Sequence, residues 1–212
     1  MARPAVLLAD DHTLVLEAFK RLLEPEFDIV GTVPDGCELL SIAPQLKPSV
    51  IVLDIGMPGT GGMVAGLELR KLLPRTKLIV LTMNEDLEIA REAMRLFASG
   101  YVLKKSGGTE LIHAIREVLR GRSYVSPSIA QQLQEAFIRD PRPEHKRELT
   151  VRQREVLQLL AEGRTMREAA NELHVTTRTI AFHKYRIMEE FGLRTNSDLV
   201  KFAIRERVIS AA

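Results

Sequence analysis

Five short apolar runs, Ala5 to Ala9, Ile29 to Val33, Val50 to Leu53, Leu78 to Leu81 and Tyr101 to Leu103, punctuate the first 105 residues at strand length. Between them lie amphipathic stretches such as Leu14 to Leu23, Leu67 to Leu73 and Leu111 to Leu119, whose aliphatic residues recur at helical spacing. Nearly continuous apolar strands suit a sheet covered on both faces, and their alternation with helices makes that sheet parallel. The expected fold of this part is an α/β, open, doubly wound sheet of five parallel strands.

In open sheets of this kind ligands bind beyond the carboxyl ends of the strands, so the residue after each run carries the chemistry. The first run ends in Asp10-Asp11, the third in Asp54, the fourth in Thr82 and the fifth in Lys104-Lys105, whereas the second ends in Val33-Pro34, with no reactive group. Three carboxylates on one edge repel one another unless a cation joins them, and oxygen ligands with room for water suit Mg²⁺. Such an ion beside Asp54 would neutralise an incoming phosphoryl group and let the carboxylate attack phosphorus to form an acyl phosphate. Thr82 and Lys104 would hold the remaining phosphoryl oxygens. Singly, Asp10 or Asp11 could simply cap the helix near His12, and Lys104 could be a solvated lysine. Capping does not explain why Asp54, Thr82 and Lys104 occupy matching strand ends.

The segments Asp10-Asp11-His12, Leu53-Asp54-Ile55-Gly56-Met57-Pro58, Leu81-Thr82 and Gly100-Tyr101-Val102-Leu103-Lys104 resemble the receiver domain of two-component response regulators, over residues 4 to 122. The resemblance implies a flavodoxin-like fold, in which Asp54 accepts phosphate from a sensor histidine kinase. It also implies that Asp10, Asp11, Asp54 and the Gly56 carbonyl bind Mg²⁺, and that Thr82 and Tyr101 form a switch pair. A hydroxyl drawn to a new dianion can bias a bistable loop. Two positions depart from the pattern: Lys105 stands where many receivers have proline, and Met83 where a small residue is common.

Past Arg122 the pattern changes. Ser126-Pro127 starts a helix expected to run to about Arg139, and Pro141-Arg142-Pro143 breaks it, placing the flexible boundary at 140 to 147. Thr150-x-x-Gln153 and Thr165-x-x-Glu168 read as capping boxes, Thr195-x-x-Asp198 as a weaker relative, and Thr176 as a further cap. Four helices follow, at about 150 to 162, 165 to 173, 177 to 191 and 196 to 206, the first and third ended by Gly163 and Gly192. The domains are therefore expected at 1–122, with a linker and its helix at 123–147, and an all-α helix-turn-helix domain at 148–212.

Projected at helical spacing, the third of these helices puts Ile180, His183, Ile187 and Phe191 on a core stripe. Arg178, Phe182, Tyr185 and Glu189 fall opposite, with Ala181 and Arg186 at the edges. Arg178 can reach a phosphate or a guanine edge, and Lys184 and Arg186 suit flanking phosphates. Exposed Phe182 and Tyr185 suggest thymine methyls, sugars or another protein, although packing remains the plain alternative. The segment from Leu149-Thr150 to Gly192-Leu193, including Thr179-Ile180, resembles the LuxR/NarL-type DNA-binding domain over residues 147 to 209. The DNA-facing set read from helix and resemblance together is Arg178, Thr179, Ala181, Phe182, Lys184, Tyr185 and Arg186. The resemblance implies double-stranded DNA as partner, a homodimer in the active state through the last helix, and RNA polymerase as a candidate contact.

Charge agrees with this division. Residues 1–145 carry 17 Lys/Arg against 19 Asp/Glu, and residues 146–212 carry 13 against 9, which suits an acidic site followed by a module facing a polyanion, though solvation of the surface produces such asymmetry too. A single cysteine, Cys37, rules out a disulfide framework within one chain. The apolar run after Met1 stops at Asp10, too short for a signal peptide, so a cytoplasmic protein without a membrane partner is expected. The same acids would serve an Asp-nucleophile phosphatase, or a receiver acting only as a dimerisation platform. A regulator that is no enzyme beyond its own phosphorylation and dephosphorylation uses both halves of the chain.

Overall fold

The computed structural model describes residues 3–57, 62–139, 149–206 and 208–209. Pro58 and the break at Pro141-Arg142-Pro143 lie outside the described residues. The chain divides into two compact units, Met1–Pro141 and Arg142–Ala212.

In the first unit the strands β1 (Ala5–Ala9), β2 (Asp28–Val33), β3 (Val50–Leu53), β4 (Lys77–Thr82) and β5 (Gly100–Leu103) fall on the five apolar runs. They alternate with helices α1 (Thr13–Leu23), α2 (Gly36–Leu46), α3 (Gly62–Leu72), α4 (Leu87–Leu96) and α5 (Gly108–Leu119). All strand pairs are parallel, in the order β2-β1-β3-β4-β5. Side chains alternate across a strand, so Val6, Leu8, Val50, Val52, Ile79, Leu81 and Val102 share one face, buried against Leu16 and Leu23 of α1 and Leu111, Ala114, Ile115 and Val118 of α5. Leu7, Ile51, Leu53, Leu78 and Val80 of the opposite face are buried as well. A sheet covered on both sides explains why its strands read as unbroken apolar runs.

Among the described residues the sheet has six strands, not the expected five. Strand β6 (Tyr124–Val125) adds to β5 in parallel, with Tyr124 opposite Gly100 and Val125 opposite Tyr101. It is too short to leave a periodic signal, and it exists because the chain turns at Gly121 (φ 83°) and returns from α5 to the open edge of β5. The next helix, α6 (Pro127–Arg139), packs against α4, so the described part of the 123–147 segment is attached to the first unit.

The second unit holds α7 (Val151–Ala161), α8 (Met166–Glu172), α9 (Thr177–Glu190) and α10 (Asn196–Arg205). Thr150, Thr165 and Thr195 each complete a reciprocal capping box, with Gln153, Glu168 and Asp198, and Thr176 accepts from the Thr179 amide at 3.1 Å. Gly163 and Gly192 take the left-handed conformation that stops α7 and α9, at φ 89° and 68°. Two small cores result, one of Val156, Ala169, Ala170 and Ile180, the other of Leu157, Ile187, Leu199, Phe202 and Ala203. Among the described residues no helix is long and apolar enough to cross a membrane.

Candidate functional site

The acids are fixed to the sheet edge by the backbone. Asp10 N donates to Val33 O at 3.1 Å and Asp54 N to Ala9 O at 2.9 Å, so both residues continue the strand ladder by one rung. Their side chains are 4% and 6% exposed, whereas that of Asp11 is more open. The four residues Asp10, Asp11, His12 and Asp54 bring potential ligand atoms within 4.8 Å of one another. The ammonium of Lys104, at the end of β5, reaches across to Asp10 Oδ2 at 2.6 Å and Asp54 Oδ2 at 2.8 Å. Gly56 N donates to Asp54 Oδ1 at 2.7 Å.

Gly56 has a second role. A Cβ there would lie 3.0 Å from Asp54 Oδ2 and 3.1 Å from Oδ1, so any larger residue would crowd the carboxylate. The absence of that atom leaves a cradle beside hard oxygen donors, and those donors fit a small divalent cation such as Mg²⁺.

Burial pushes the Asp54 carboxyl above its ordinary value of 3.8, against the Lys104 hydrogen bond and charge and the Gly56 amide, while the nearby Asp10 adds to the rise. Burial alone would lower Lys104, but hydrogen bonds and charge from Asp10 and Asp54 outweigh it and hold the ammonium above its ordinary value. Each shift has its own cause: the acid is governed by desolvation, the base by two anions. A carboxyl with a raised folded-state pKa supports the fold fully below 3.8, and that support is lost as pH rises through the folded value. In metal-free buffer Asp54→Asn is therefore expected to melt above the wild type near neutral pH, with the gap closing in acid. Thermal melts across pH check this; a gap independent of pH would assign the effect to packing.

Thr82, buried at the end of β4, accepts from Asn84 N at 3.1 Å. Tyr101 is fully buried and its hydroxyl donates to Asn84 O at 2.8 Å. Burial, and then the charges of Asp86, Asp54 and Glu85, drive the Tyr101 phenol far above its ordinary value, so it stays a donor. The two switch candidates therefore meet at one residue that the sequence reading does not single out, Asn84, Thr82 at its amide and Tyr101 at its carbonyl. Both contacts use the Asn84 backbone, so its residue type carries no signal for them. His12 was also passed over as a participant, yet its Nδ1 lies 3.2 Å from Asp10 Oδ1 and 3.0 Å from Asp11 Oδ1. Lys105 pairs with Glu85 at 2.5 Å, and Met83 points outward, 66% exposed. Among the described residues no peptide bond is cis.

On α9 the expected core stripe is buried at Ile180, His183 and Ile187. Phe191 is half-buried, its ring 4.4 Å from that of Phe202. Tyr185 is 59% exposed, and Arg178, Ala181, Phe182, Lys184 and Arg186 are partly exposed around it. Thr179 departs from the expected DNA-facing set. It is 2% exposed and its hydroxyl lies 3.0 Å from that of Thr176, so it locks the first turn of α9 inward.

A family described as response regulator receiver domain matches residues 6–116, and one described as bacterial regulatory proteins, luxR family, matches residues 147–203. The chain belongs to the response regulators with a LuxR-family output domain. It is similar to the oxygen regulatory protein NreC of Staphylococcus carnosus (strain TM300), 32% identical across 96% of this chain and 98% of the relative. The protein of the same name from Staphylococcus aureus (strain JH9) is 31% identical over the same shares. Among solved structures, RcsB from Salmonella enterica serovar Typhimurium, bound to promoter P1flhDC in the presence of phosphomimetic BeF3⁻, aligns with a TM-score of 0.64 at 28% identity, covering 94% of this chain and 97% of that one. A LuxR-family response regulator from Aurantimonas sp. SI85-9A1 aligns with a TM-score of 0.62 at 33% identity, over 65% of this chain and 99% of that one. This response regulator is thus a phosphorylation-controlled, DNA-binding transcription regulator of the two-component type.

Proposed function

We propose that Asp54 is the phosphoacceptor, receiving its phosphoryl group from a sensor histidine kinase, and that the modified receiver controls dimerisation and DNA binding by α9. The observation that carries this is the Lys104 ammonium shared between Asp10 Oδ2 at 2.6 Å and Asp54 Oδ2 at 2.8 Å on one sheet edge. Asp10, Asp11, Asp54 and the Gly56 carbonyl would hold Mg²⁺, which when bound supplies charge neutralisation to an entering phosphoryl group. An Asp54 carboxylate oxygen attacks phosphorus. The bond from phosphorus to the donor breaks, and its electron pair leaves with the donor group. Lys104 then shifts its attraction from the two carboxylates to a phosphoryl oxygen, and Thr82 turns from Asn84 N toward another. Tyr101 is the second half of the switch, because its hydroxyl holds the same Asn84 backbone. The protein is cytoplasmic in this reading and turns over no separate substrate. Its receiver spans 1–122, the linker with its helix 123–147 and the output domain 148–212.

Incubation with acetyl phosphate and Mg²⁺ should add one hydroxylamine-labile phosphoryl group that maps to Asp54, and neither a chelated sample nor Asp54→Asn should acquire it. Modification persisting in Asp54→Asn would move the acceptor elsewhere.

The DNA surface is proposed as Arg178, Ala181, Phe182, Lys184, Tyr185 and Arg186, without Thr179. One solved structure holds two RcsB dimers bound to two parallel DNAs, which supports a dimer on DNA here. Arg178→Ala is expected to weaken binding by about 1–3 kcal/mol and to relax discrimination at one base position, if it reads a guanine edge. Lys184→Ala should weaken binding uniformly across sequences and reduce the salt slope by about 1. Titrations over a panel of duplexes and salt concentrations separate the two roles.

A further inference from the structure

Ser126 joins three elements at one buried point. Its side chain is fully enclosed. Its hydroxyl oxygen accepts from Leu103 N at 3.0 Å and its hydroxyl proton goes to Glu110 Oε1, in the first turn of α5. Its amide donates to Tyr101 O at 2.9 Å, and its carbonyl accepts from Ile129 N and Ala130 N, both at 2.9 Å, starting α6. Strand β6 is only two residues long, so the serine hydroxyl supplies to Leu103 the hydrogen bond that a longer strand would have supplied from its backbone.

The placement matters because of what Leu103 adjoins. On one side lies Lys104, whose ammonium holds Asp10 and Asp54, and two residues back lies Tyr101, whose hydroxyl holds the loop after Thr82. Ser126 is hydrogen-bonded to the backbone on both sides of this stretch, and the same residue begins the helix that leaves the sheet. Ile129, one turn on, is fully buried, and α6 packs against α4, which follows the Thr82 loop. Any backbone shift at Tyr101 or Leu103 that accompanies a rearrangement of Lys104 or Tyr101 therefore either moves the first turn of α6 or breaks buried hydrogen bonds, and a buried amide left unpaired is costly.

We infer that Ser126, with Glu110, is a positioning residue that registers α6 to Lys104 and Tyr101, so that phosphorylation of Asp54 shifts α6 as part of the switch. This rests on the phosphoacceptor reading above. It makes the helix after the receiver a component that senses the phosphorylation state, with Ser126 as the joint.

The test is hydrogen exchange by mass spectrometry on the full chain, with and without acetyl phosphate and Mg²⁺, each sample's Asp54 occupancy measured by intact mass. In the occupied wild type the opening equilibrium of amides in 128–139 is expected to change by about fivefold or more, the lower end of usual coupling between sites. At equal occupancy the change should fall below about twofold in Ser126→Ala and be reduced in Glu110→Ala, while Ser126→Thr retains it. A tether with no part in the switch would alter basal exchange in the variants and leave the phosphorylation-dependent difference intact. Occupied Asp54 with unchanged α6 in the wild type, or an undiminished change in Ser126→Ala, overturns this inference alone. A wild type that takes up no phosphate at Asp54 overturns the phosphoacceptor reading and this inference with it.

Discussion

Lys104→Ala is expected to slow phosphoryl acceptance by about 10²–10³-fold, the usual cost of deleting one preorganised charge at a site where charge develops. The ammonium sits 2.6 Å from Asp10 Oδ2 and 2.8 Å from Asp54 Oδ2, on a buried edge where an electrostatic contact is weakened little by solvent. It is therefore already placed where an entering phosphoryl oxygen would need it. The same geometry makes Lys104 a competitor of Mg²⁺ for the two carboxylates. Removing it should leave Mg²⁺ affinity unchanged or higher, because the acids lose their internal counter-ion. Calorimetric Mg²⁺ titration beside the phosphorylation rate distinguishes this account from collapse of the site, which would lower both together.

Phe202→Ala is expected to unfold most of the second unit, at a cost of about 3–5 kcal/mol for a large buried aromatic. Phe202 is 2% exposed, lies 4.4 Å from the Phe191 ring, and carries Arg205 over its own ring at 5.0 Å. It shares a core with Leu157, Ile187, Leu199 and Ala203 that has few members to spread the loss over. Small domains bury a smaller share of their surface and are only marginally stable, so a loss of this size is most of what holds the unit together. DNA binding should disappear while Asp54 still accepts phosphate, since the sheet has its own core. A melt followed by circular dichroism, with phosphorylation measured on the same sample, checks both halves.

The sheet and its site were legible in the sequence because one physical fact produces both. A doubly covered parallel sheet writes its strands as apolar runs, and the polar residue that ends each run, Asp10, Asp54, Thr82 or Lys104, lands on one edge. The output helices were legible because threonine caps and terminal glycines mark their ends almost residue by residue. What escaped depended on pairing between distant segments. Tyr124–Val125 is too short to show a period and becomes a strand only because β5 offers an open edge. Asn84 acts through its backbone, which any residue type carries, so its link between Thr82 and Tyr101 leaves no compositional trace. Thr179 enters the DNA-binding set with its neighbours in the matched segment and not from the helical projection, and its hydroxyl lies against that of the helix cap Thr176.

The central claim is that phosphorylation of Asp54 sets the affinity of α9 for DNA. Its most direct test is operator affinity for the full chain, with and without acetyl phosphate and Mg²⁺, with Asp54 occupancy verified in each sample. The wild type should bind about 5–150-fold more tightly when phosphorylated, and Asp54→Asn should not respond. Equal affinity at full occupancy, or a response that survives in Asp54→Asn, would contradict it.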